Sequence, residues 1–426
     1  MGSTLIFIFG ILLALNVPIA FALMTASFLV MFLMGNNLTM IPQMLVSGIQ
    51  AYILMAVPLF MLAGAIMNEG GTTDRIFRFA RAMVGHIRGG LAHVNVVASL
   101  IFAGMSGSAV ADSSGLGIIE IKAMTDNGYD ADFSAAITAA SSTIGPIFPP
   151  SIPMVIYGGL ANVSIGRLFL GGAIPGLLMA FYLMLVIYIV ATRRNYPREK
   201  RASLKEFVSS FLDSFLALLM PVIILGGILG GFFTPTEAAS VAVVYSLFLG
   251  FVVYKTLTVR SLFSILGQVA LNTAVVLIII AATAPFKWII AFERIPDAIY
   301  SFLTQFTENP MVLLFILNIA FLALGCVMEN TAIIILSVPI LLPVIAKFGI
   351  DPVHFGVVMI LNLMIGLITP PVGLCLFTTS SIAKISMERI VKAVIPFLIA
   401  LLAVLFTITY VPSLVLWLPN LLMRRF

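Results

Sequence analysis

Charged residues are scarce in this chain. Of its 426 residues only 9% are Asp, Glu, Lys or Arg, whereas 61% are hydrophobic. A typical soluble domain is about a quarter charged. The composition therefore excludes an ordinary soluble domain and predicts that the lipid bilayer is the solvent for most of the chain. Basic residues in cytoplasmic loops then explain the net charge of +5, which does not indicate nucleic-acid binding.

Cysteines and nucleotide-binding motifs are also scarce. The two cysteines, Cys326 and Cys375, both lie in apolar runs, which argues against a disulfide framework or a metal cluster. The pattern Gly-x-x-x-x-Gly-Lys-Ser/Thr does not occur in the sequence, so we do not expect ATP to drive the protein directly. The 33 phenylalanines are expected to face lipid or the core, and we predict no organic cofactor.

Two double prolines stand inside apolar segments. The sequence reads Gly-Pro-Ile-Phe-Pro-Pro at 145–150 and Gly-Leu-Ile-Thr-Pro-Pro at 366–371. Each pair removes two N–H donors and breaks the helix, which is expected to leave four carbonyls without partners: those of Gly145, Pro146, Gly366 and Leu367. Irregular backbone at membrane depth is tolerated only inside protein or beside a wet cavity. Two such breaks in corresponding places predict a midplane binding site in a secondary transporter.

The two breaks belong to an internal repeat. Residues 104–150 and 325–371 share ten identities over 47 positions without a gap, and both prolines of each pair are among them. These identities include Gly104 with Gly325, Gly128 with Gly349, and Asp130 with Asp351, and the same spacing of 221 also relates Gly10 to Gly231 outside this segment. We interpret the chain as two copies of one unit.

Loop charges indicate that the copies are inverted. The segment 72–91 is rich in arginine and is predicted to be cytoplasmic, whereas its counterpart carries Glu293, Asp297 and Glu308 and suits the opposite side. Equivalent loops on opposite faces are typical of inverted-repeat transporters. The basic linker 193–206 between the copies is also predicted to be cytoplasmic.

A path through the membrane follows from the apolar runs. The run 4–34 lacks the features of a signal peptide and is expected to stay as a membrane helix, tilted or interrupted near Asn16. The first repeat, 1–192, then comprises a scaffold at 1–91 with a span at 40–68 and an amphipathic arm at 72–91, a re-entrant hairpin at 92–121, a broken helix at 133–163, and a last span at 167–192.

The second repeat, 207–426, is predicted to follow the same plan. Its scaffold has spans at 207–230, 232–254 and 261–292, and these lead to a hairpin at 310–342, a broken helix at 354–384 and a last span at 390–417. Each hairpin with its broken helix forms one unit, at 92–163 and 310–384. This path places Arg424 and Arg425 outside, against the positive-inside rule. The predicted fold class is an all-α polytopic membrane protein with inverted repeats, two re-entrant hairpins and two broken helices.

The hairpin tips and helix breaks are the candidate binding site. Hydroxyl, amide and carbonyl oxygens suit Na⁺, and the restarting half-helices direct N–H groups towards an anion. The predicted cation-binding residues are Ser106, Gly107, Ser108, Gly145, Pro149, Gly325, Glu329, Asn330, Gly366 and Thr369, with two or more Na⁺ ions expected. The predicted substrate-binding residues are Ser108, Pro150, Ser151, Asn330, Thr331, Pro371 and Gly373.

Several of these residues also allow structural interpretations. Small residues at hairpin tips often serve close helix packing, whereas Glu329, an ionisable group in an apolar run, indicates function. Thr234 and Glu237 either contribute to function or cap a helix. Four further charged residues are either functional or structural, namely Asp112, Glu120, Lys122 and Lys287.

An enzymatic alternative rests on Ser106. Residues 104–107 fit the G-x-S-G pattern of intramembrane serine proteases, in which the serine needs a histidine base within hydrogen-bond reach. The three histidines, His86, His93 and His354, are predicted to lie in the arm, at a hairpin base and at a loop end, away from the depth of Ser106. We therefore expect a transporter and no enzyme.

Four motifs together resemble one transporter family over nearly the whole chain. They are Gly-Met-Ser-Gly-Ser-Ala-Val-Ala-Asp at 104–112, the break at 145–151, Phe-Thr-Pro-Thr-Glu-Ala-Ala at 233–239, and Met-Glu at 328–329 followed by Pro-Ile-Leu-Leu-Pro at 339–343. This combination resembles the large membrane subunit of tripartite ATP-independent periplasmic (TRAP) transporters. Glu329 stands where the family pattern leads us to expect Asp.

The resemblance implies a function and partners. Such subunits work in the bacterial inner membrane with a small four-helix membrane subunit and a periplasmic substrate-binding protein. They import organic acids, such as C4-dicarboxylates or sialic acid, with a Na⁺ gradient and an elevator motion of the hairpins and broken helices. The small subunit is expected to be a separate chain. A self-sufficient ion-coupled anion symporter remains the alternative among transporters.

Overall fold

The computed structural model describes residues 1–423 and consists of helices joined by short loops. A 3₁₀-helix over Tyr52–Met55 and a π-helix over Leu249–Val253 extend two of them. The α-helices of the first repeat and the linker region are α1 (Gly2–Ala14), α2 (Ile19–Leu33), α3 (Met40–Ile49), α4 (Ala56–Glu69), α5 (Thr72–Val84), α6 (Gly90–Ser106), α7 (Ala109–Ser114), α8 (Leu116–Asp126), α9 (Ala131–Ser142), α10 (Ile152–Ala161) and α11 (Ile165–Arg193).

The second repeat continues with ten α-helices in the described part of the chain. They are α12 (Leu204–Leu229), α13 (Pro235–Phe248), α14 (Val259–Phe292), α15 (Ile295–Thr304), α16 (Pro310–Gly325), α17 (Asn330–Lys347), α18 (Pro352–Gly366), α19 (Leu374–Ala383), α20 (Met387–Tyr410) and α21 (Ser413–Leu422). Within residues 1–423, seven helices are long and apolar enough to cross a membrane. The prediction of an all-α polytopic protein is confirmed.

The repeat is visible helix by helix. The helices α9 and α18 begin 221 residues apart, and α17 covers the positions that correspond to α7 and α8. The arms α5 and α15, the hairpin limbs α6 and α16, and the half-helices α10 and α19 begin 220 to 223 residues apart. The two hairpins, α6 with α7–α8 and α16 with α17, therefore stand in equivalent places, as do the two broken helices.

Both double prolines break their helices as predicted. The first break separates α9 from α10, and the second separates α18 from α19. The Pro149–Pro150 and Pro370–Pro371 peptide bonds are cis. The restart of α10 has a local cause, because the hydroxyl of Ser151 accepts a hydrogen bond from the Met154 N–H at 3.2 Å and so caps the helix.

Two predicted spans and the predicted arm have wrong boundaries. The span predicted at 40–68 is interrupted after Ile49, because Ala51 adopts an extended backbone with φ of −64° and ψ of 118°. The 3₁₀-helix Tyr52–Met55 and α4 then follow as one continuous helix. The last span, predicted at 390–417, ends at Tyr410, because Pro412 forces the residue before it out of helical geometry; α21 is a separate helix. The arm ends at Val84, before the left-handed Gly89, instead of at 91.

The first run is interrupted near Asn16, as expected, and forms α1 and α2. Thr234 and Glu237 form a reciprocal capping box at the start of α13, which confirms the capping interpretation for these two residues. Arg424 and Arg425 lie outside the described residues.

Ion pairs hold the arm α5 against α12 and the linker. On α5, Arg78 pairs with Asp213 of α12 at 2.5 Å, and Arg81 forms two hydrogen bonds to Glu199 of the linker at 2.8 and 2.5 Å. The linker also contacts the base of α9, where Asp130 accepts hydrogen bonds from Arg194 and Tyr196. The Tyr196 hydroxyl and the Arg194 guanidinium lower the pKa of Asp130 below its ordinary value.

Candidate functional site

The two hairpin tips meet in one cavity of about 440 Å³. The scaffold helices α4 and α14 form its other walls, and parts of both broken helices reach it. Its lining therefore combines the four elements on which the sequence prediction rested. The polar residues in the lining are Asn68, Glu69, Ser106, Ser108, Gln268, Asn272, Glu329, Asn330 and Thr331.

The tip of the first hairpin is tightly packed. Gly107 has a left-handed backbone, with φ of 61°, and a Cβ at this position would lie 2.9 Å from the Pro150 carbonyl oxygen. Only glycine allows this approach of the tip to the helix break. Ser106 donates a hydrogen bond to a carboxylate oxygen of Asp112. Its partner is thus an acid, whereas the protease alternative requires a histidine there.

Asp112 is the most unusual charged group at this tip. Its side chain is 1% exposed, and its second oxygen, Oδ2, has no hydrogen-bond partner in the described structure. This oxygen lies beside Gly145, where a Cβ would approach it to 2.6 Å. A buried carboxylate oxygen without a partner is costly. Asp112 and the neighbouring hydroxyl of Ser106 therefore fit a cation better than they fit a sealed core.

The tip of the second hairpin is organised by Glu329 and Asn330. Glu329 caps α17, because its two oxygens accept hydrogen bonds from the Thr331 and Ala332 N–H groups at 2.9 and 2.8 Å. Asn330 is 5% exposed and donates to the Leu363 carbonyl of α18 at 2.8 Å. Its side-chain oxygen Oδ1 has no hydrogen-bond partner within residues 1–423. The second tip therefore also contains an uncompensated oxygen.

The helix break of the second repeat is held by a close glycine contact. A Cβ on Gly366 would lie 2.5 Å from the carbonyl oxygen of Gly325, the last residue of α16 in the second hairpin. Beside it, the Thr369 hydroxyl donates to the Ile365 carbonyl at 2.7 Å. The predicted residues Gly325, Gly366 and Thr369 thus lie together behind the cavity wall.

Six of the predicted site residues line the cavity within the described structure: Ser106, Gly107, Ser108, Glu329, Asn330 and Thr331. The others belong to the breaks or to the glycine contacts behind the lining, and they are Gly145, Pro149, Pro150, Ser151, Gly325, Gly366, Thr369, Pro371 and Gly373. The structure therefore brings the tips to the cavity, whereas the predicted break residues do not line it.

The prediction of free carbonyls at the breaks is wrong for three of the four. The Pro146 carbonyl accepts from the Ser151 hydroxyl, the Gly366 carbonyl from the Thr369 N–H at 3.1 Å, and the Leu367 carbonyl from the Cys375 N–H at 3.1 Å. The chain turns at each break so that nearby donors replace the missing proline N–H groups. Each carbonyl oxygen keeps a second lone pair, so these groups can still act as ligands.

Four polar residues of the cavity wall were not predicted. Asn68 and Glu69 end α4, and Gln268 and Asn272 lie in the middle of α14. The amides of α14 had a detectable signal, because they are four residues apart in an otherwise apolar run and so share one helix face. Glu69 had none, because its position resembles an ordinary helix end.

The charged side chains in the cavity lining are all acidic. Within the described residues its lining contains the carboxylates Glu69 and Glu329 but no lysine, arginine or histidine. The N-terminal ends of α10 and α19 also reach the cavity, and the positive end of a helix dipole favours an anion.

Comparison with known proteins agrees with this geometry. The model of the family described as tripartite ATP-independent periplasmic transporter, DctM component, matches residues 6–414. The sialic acid TRAP transporter large permease protein SiaM of Vibrio cholerae is 46% identical over 413 residues, which cover 97% of this chain and 96% of that protein. The C4-dicarboxylate TRAP transporter large permease protein DctM of Pseudomonas aeruginosa is 43% identical over 369 residues, which cover 87% of this chain and 86% of that protein.

Among solved structures, the YdaH transporter of Alcanivorax borkumensis has a similar fold. The TM-score is 0.64 and the identity 14%, over 86% of each chain. This likeness supports the transporter fold, and the near full-length relatives support a multi-pass protein of the bacterial inner membrane. The chain belongs to the DctM component family of tripartite ATP-independent periplasmic transporters.

Proposed function

We propose that this chain is the transport subunit of a Na⁺-coupled importer of an organic acid. The observation that carries the proposal is the charge of the cavity, whose lining includes Glu69 and Glu329 and, among residues 1–423, no basic side chain. A carboxylate substrate would be repelled there unless cations entered with it. The acidic lining thus supports coupling to a cation, for which we propose Na⁺.

The unpartnered oxygens indicate where Na⁺ would bind. They are Oδ2 of Asp112 at the first tip and Oδ1 of Asn330 at the second. The Ser106 hydroxyl, which accepts from the Ser108 N–H and donates to Asp112, keeps one lone pair for a cation. Carbonyls of the neighbouring breaks add further oxygen ligands, of the kind that broken helices offer to Na⁺ in secondary transporters. One site at each tip is consistent with two or more ions.

The substrate carboxylate would lie between the tips. The N-terminal ends of α10 and α19 reach this region, and the positive ends of their helix dipoles would favour the carboxylate. One relative is named as a transporter of sialic acid and another as a transporter of C4-dicarboxylates. An organic acid of one of these types is therefore the proposed substrate.

The proposed motion is an elevator. The hairpins and broken helices, 92–163 and 310–384, would move as a transport domain against the scaffold formed by 1–91 and 207–292. At α4 the contact between these two parts is made by a small residue, since a Cβ on Gly64 would lie 3.0 Å from the Cα of Ser106. Small residues favour sliding of one helical surface over another, because few side chains interlock.

The family also implies two partners, a small membrane subunit and a periplasmic substrate-binding protein. Purified chain in liposomes tests this part of the proposal. Uptake that requires both added partners supports the tripartite system. Uptake by the chain alone would instead support a self-sufficient anion symporter.

The Na⁺ part is tested with Asp112→Asn, which keeps the size of the side chain and removes its charge. We expect the Na⁺ concentration for half-maximal uptake to rise by at least tenfold, because a charged ligand contributes more than about 1.4 kcal/mol at a buried cation site. Asp132→Asn, at a partly exposed first-turn residue of α9 outside the cavity, is the matched control. Unchanged Na⁺ dependence in Asp112→Asn would remove Asp112 from the site, and uptake that persists fully in K⁺ would overturn Na⁺ coupling.

A further inference from the structure

The scaffold wall of the cavity carries a pair of amides. Gln268 and Asn272 lie on the face of α14 that lines the cavity, together with Ile265, Val269, Val275, Val276 and Ile279. The spacing of four residues separates the two amides by about 6 Å along the helix axis. Both side chains are exposed, and among residues 1–423 neither has a hydrogen-bond partner.

The position of these amides needs an explanation. The helix α14 is 34 residues long and apolar enough to span a membrane, and a primary amide facing hydrocarbon costs several kcal/mol. Facing the cavity avoids this cost, because water or a bound solute can satisfy the amides. An amide has both donors and an acceptor, so it recognises hydroxyl and amide groups of a solute without requiring a charge.

The charges beside the amides limit the solute further. Glu69, at the end of α4, lines the same cavity and is exposed. Its carboxylate accepts hydrogen bonds from hydroxyl groups but repels a carboxylate. Within the described part of the chain, no lysine or arginine lines the cavity to hold a second negative charge.

We infer that Gln268 and Asn272, with Glu69, select a monocarboxylate that carries several hydroxyl or amide groups, such as a sugar acid, over an aliphatic dicarboxylate. This inference rests on the proposed function. The carboxylate of the substrate lies at the hairpin tips, and its neutral polar part faces the scaffold wall. Substrate choice is thus divided between the moving tips and the fixed wall.

A binding experiment on the full chain, without the substrate-binding protein, tests the selection. The chain is placed in lipid nanodiscs, and its thermal stability is measured in Na⁺ and in K⁺ as ligand is added, because a ligand that binds the folded state raises the unfolding temperature. The hydroxylated probes are N-acetylneuraminate, D-gluconate and D-galacturonate. The dicarboxylate probes are succinate, fumarate and glutarate.

We expect at least one hydroxylated monocarboxylate to stabilise the wild type in Na⁺ at lower concentrations than any dicarboxylate. Gln268→Ala and Asn272→Ala should each raise the apparent dissociation constant of that ligand by about three- to tenfold, as loss of a neutral hydrogen bond predicts. Gln305→Ala, which removes an exposed amide outside the cavity, is the matched control and should bind as wild type.

The outcomes separate the inference from the proposed function. Tighter binding of a dicarboxylate than of every hydroxylated probe, or wild-type binding in both amide variants, overturns the selection by the scaffold wall while leaving Na⁺-coupled transport intact. Ligand binding that is equal in Na⁺ and K⁺ contradicts the proposed coupling instead. Stabilisation by none of the six acids overturns both.

Discussion

The contact between α4 and the first hairpin yields the sharpest prediction. Gly64 faces the hairpin tip so closely that a Cβ there would lie 3.0 Å from the Cα of Ser106 and 3.1 Å from the carbonyl oxygen of Met105. Both neighbours are backbone atoms, which cannot rotate away. Gly64→Ala must therefore push the hairpin from α4, at a cost of about 1–3 kcal/mol for overpacking.

If the protein moves as an elevator, this free-energy cost changes the populations of its two states. If the hairpin touches α4 only in the state seen here, the added methyl group disfavours that state alone. A penalty of this size shifts a two-state equilibrium by about 5- to 150-fold. A protein that rests in this state should then spend much more of its time with the hairpin away from α4.

Cysteine accessibility measures the shift. Ser108→Cys at the cavity, in a background with Cys326→Ser, is labelled by a membrane-impermeant thiol reagent. We expect Gly64→Ala to raise the labelling rate at least fivefold. Gly267→Ala is the control, because a Cβ at this helical glycine would meet no atom within 4 Å. Equal labelling rates in Gly64→Ala and the control would show that the hairpin does not separate from α4. That result would refute the proposal that the Gly64 contact exists in only one state of the elevator motion.

Three further predictions concern other parts of the site and its support. Thr369→Ala should raise the Na⁺ concentration for half-maximal uptake without loss of protein from the membrane; unchanged Na⁺ dependence would count against a ligand role for its hydroxyl. Glu329→Ala should lower the thermal stability by about 0.5–2 kcal/mol through loss of the α17 cap, whereas Glu329→Asp should retain it; equal stability of the two would contradict the cap. The Tyr196 contact lowers the pKa of Asp130, so its stabilising effect should be present above the ordinary carboxyl pKa of 3.8 and disappear as the pH falls below it. Asp130→Asn should remove that acid dependence of linker protection from proteolysis, and an identical pH profile would argue against the contact.

The sequence predicted the features that have local causes. A double proline breaks a helix wherever it stands, so the breaks at 149–150 and 370–371 could be located without a structure. The repeat spacing of 221 residues then predicted the position of the hairpin in one half from its position in the other. Glu329 shows the limit of this reasoning, because an acidic residue in an apolar run indicated a ligand, whereas its observed bonds also make it a helix cap.

Features with tertiary causes could not be predicted in the same way. The two halves differ where their sequences correspond, since α14 runs unbroken through the positions that match the break between α3 and α4. Gln268 and Asn272 correspond at this spacing to Ser47 and Ala51, so the repeat did not point to them. Which face of α14 lines the cavity depends on how the helices pack, and the apolar residues of this helix show no periodicity that identifies the face; only the two amides, four residues apart, point to it.

The acidic lining would connect the proposed ion sites to the proposed substrate site thermodynamically. Glu69 and Glu329 disfavour a lone carboxylate, and Asp112 disfavours an empty first tip, so each is relieved by a cation. Any increase in substrate affinity caused by Na⁺ must equal the increase in Na⁺ affinity caused by substrate. A cavity lined by arginine would bind the acid without the ion and would lose this coupling. The scarcity of basic residues at this depth is therefore part of how the proposed symport would work.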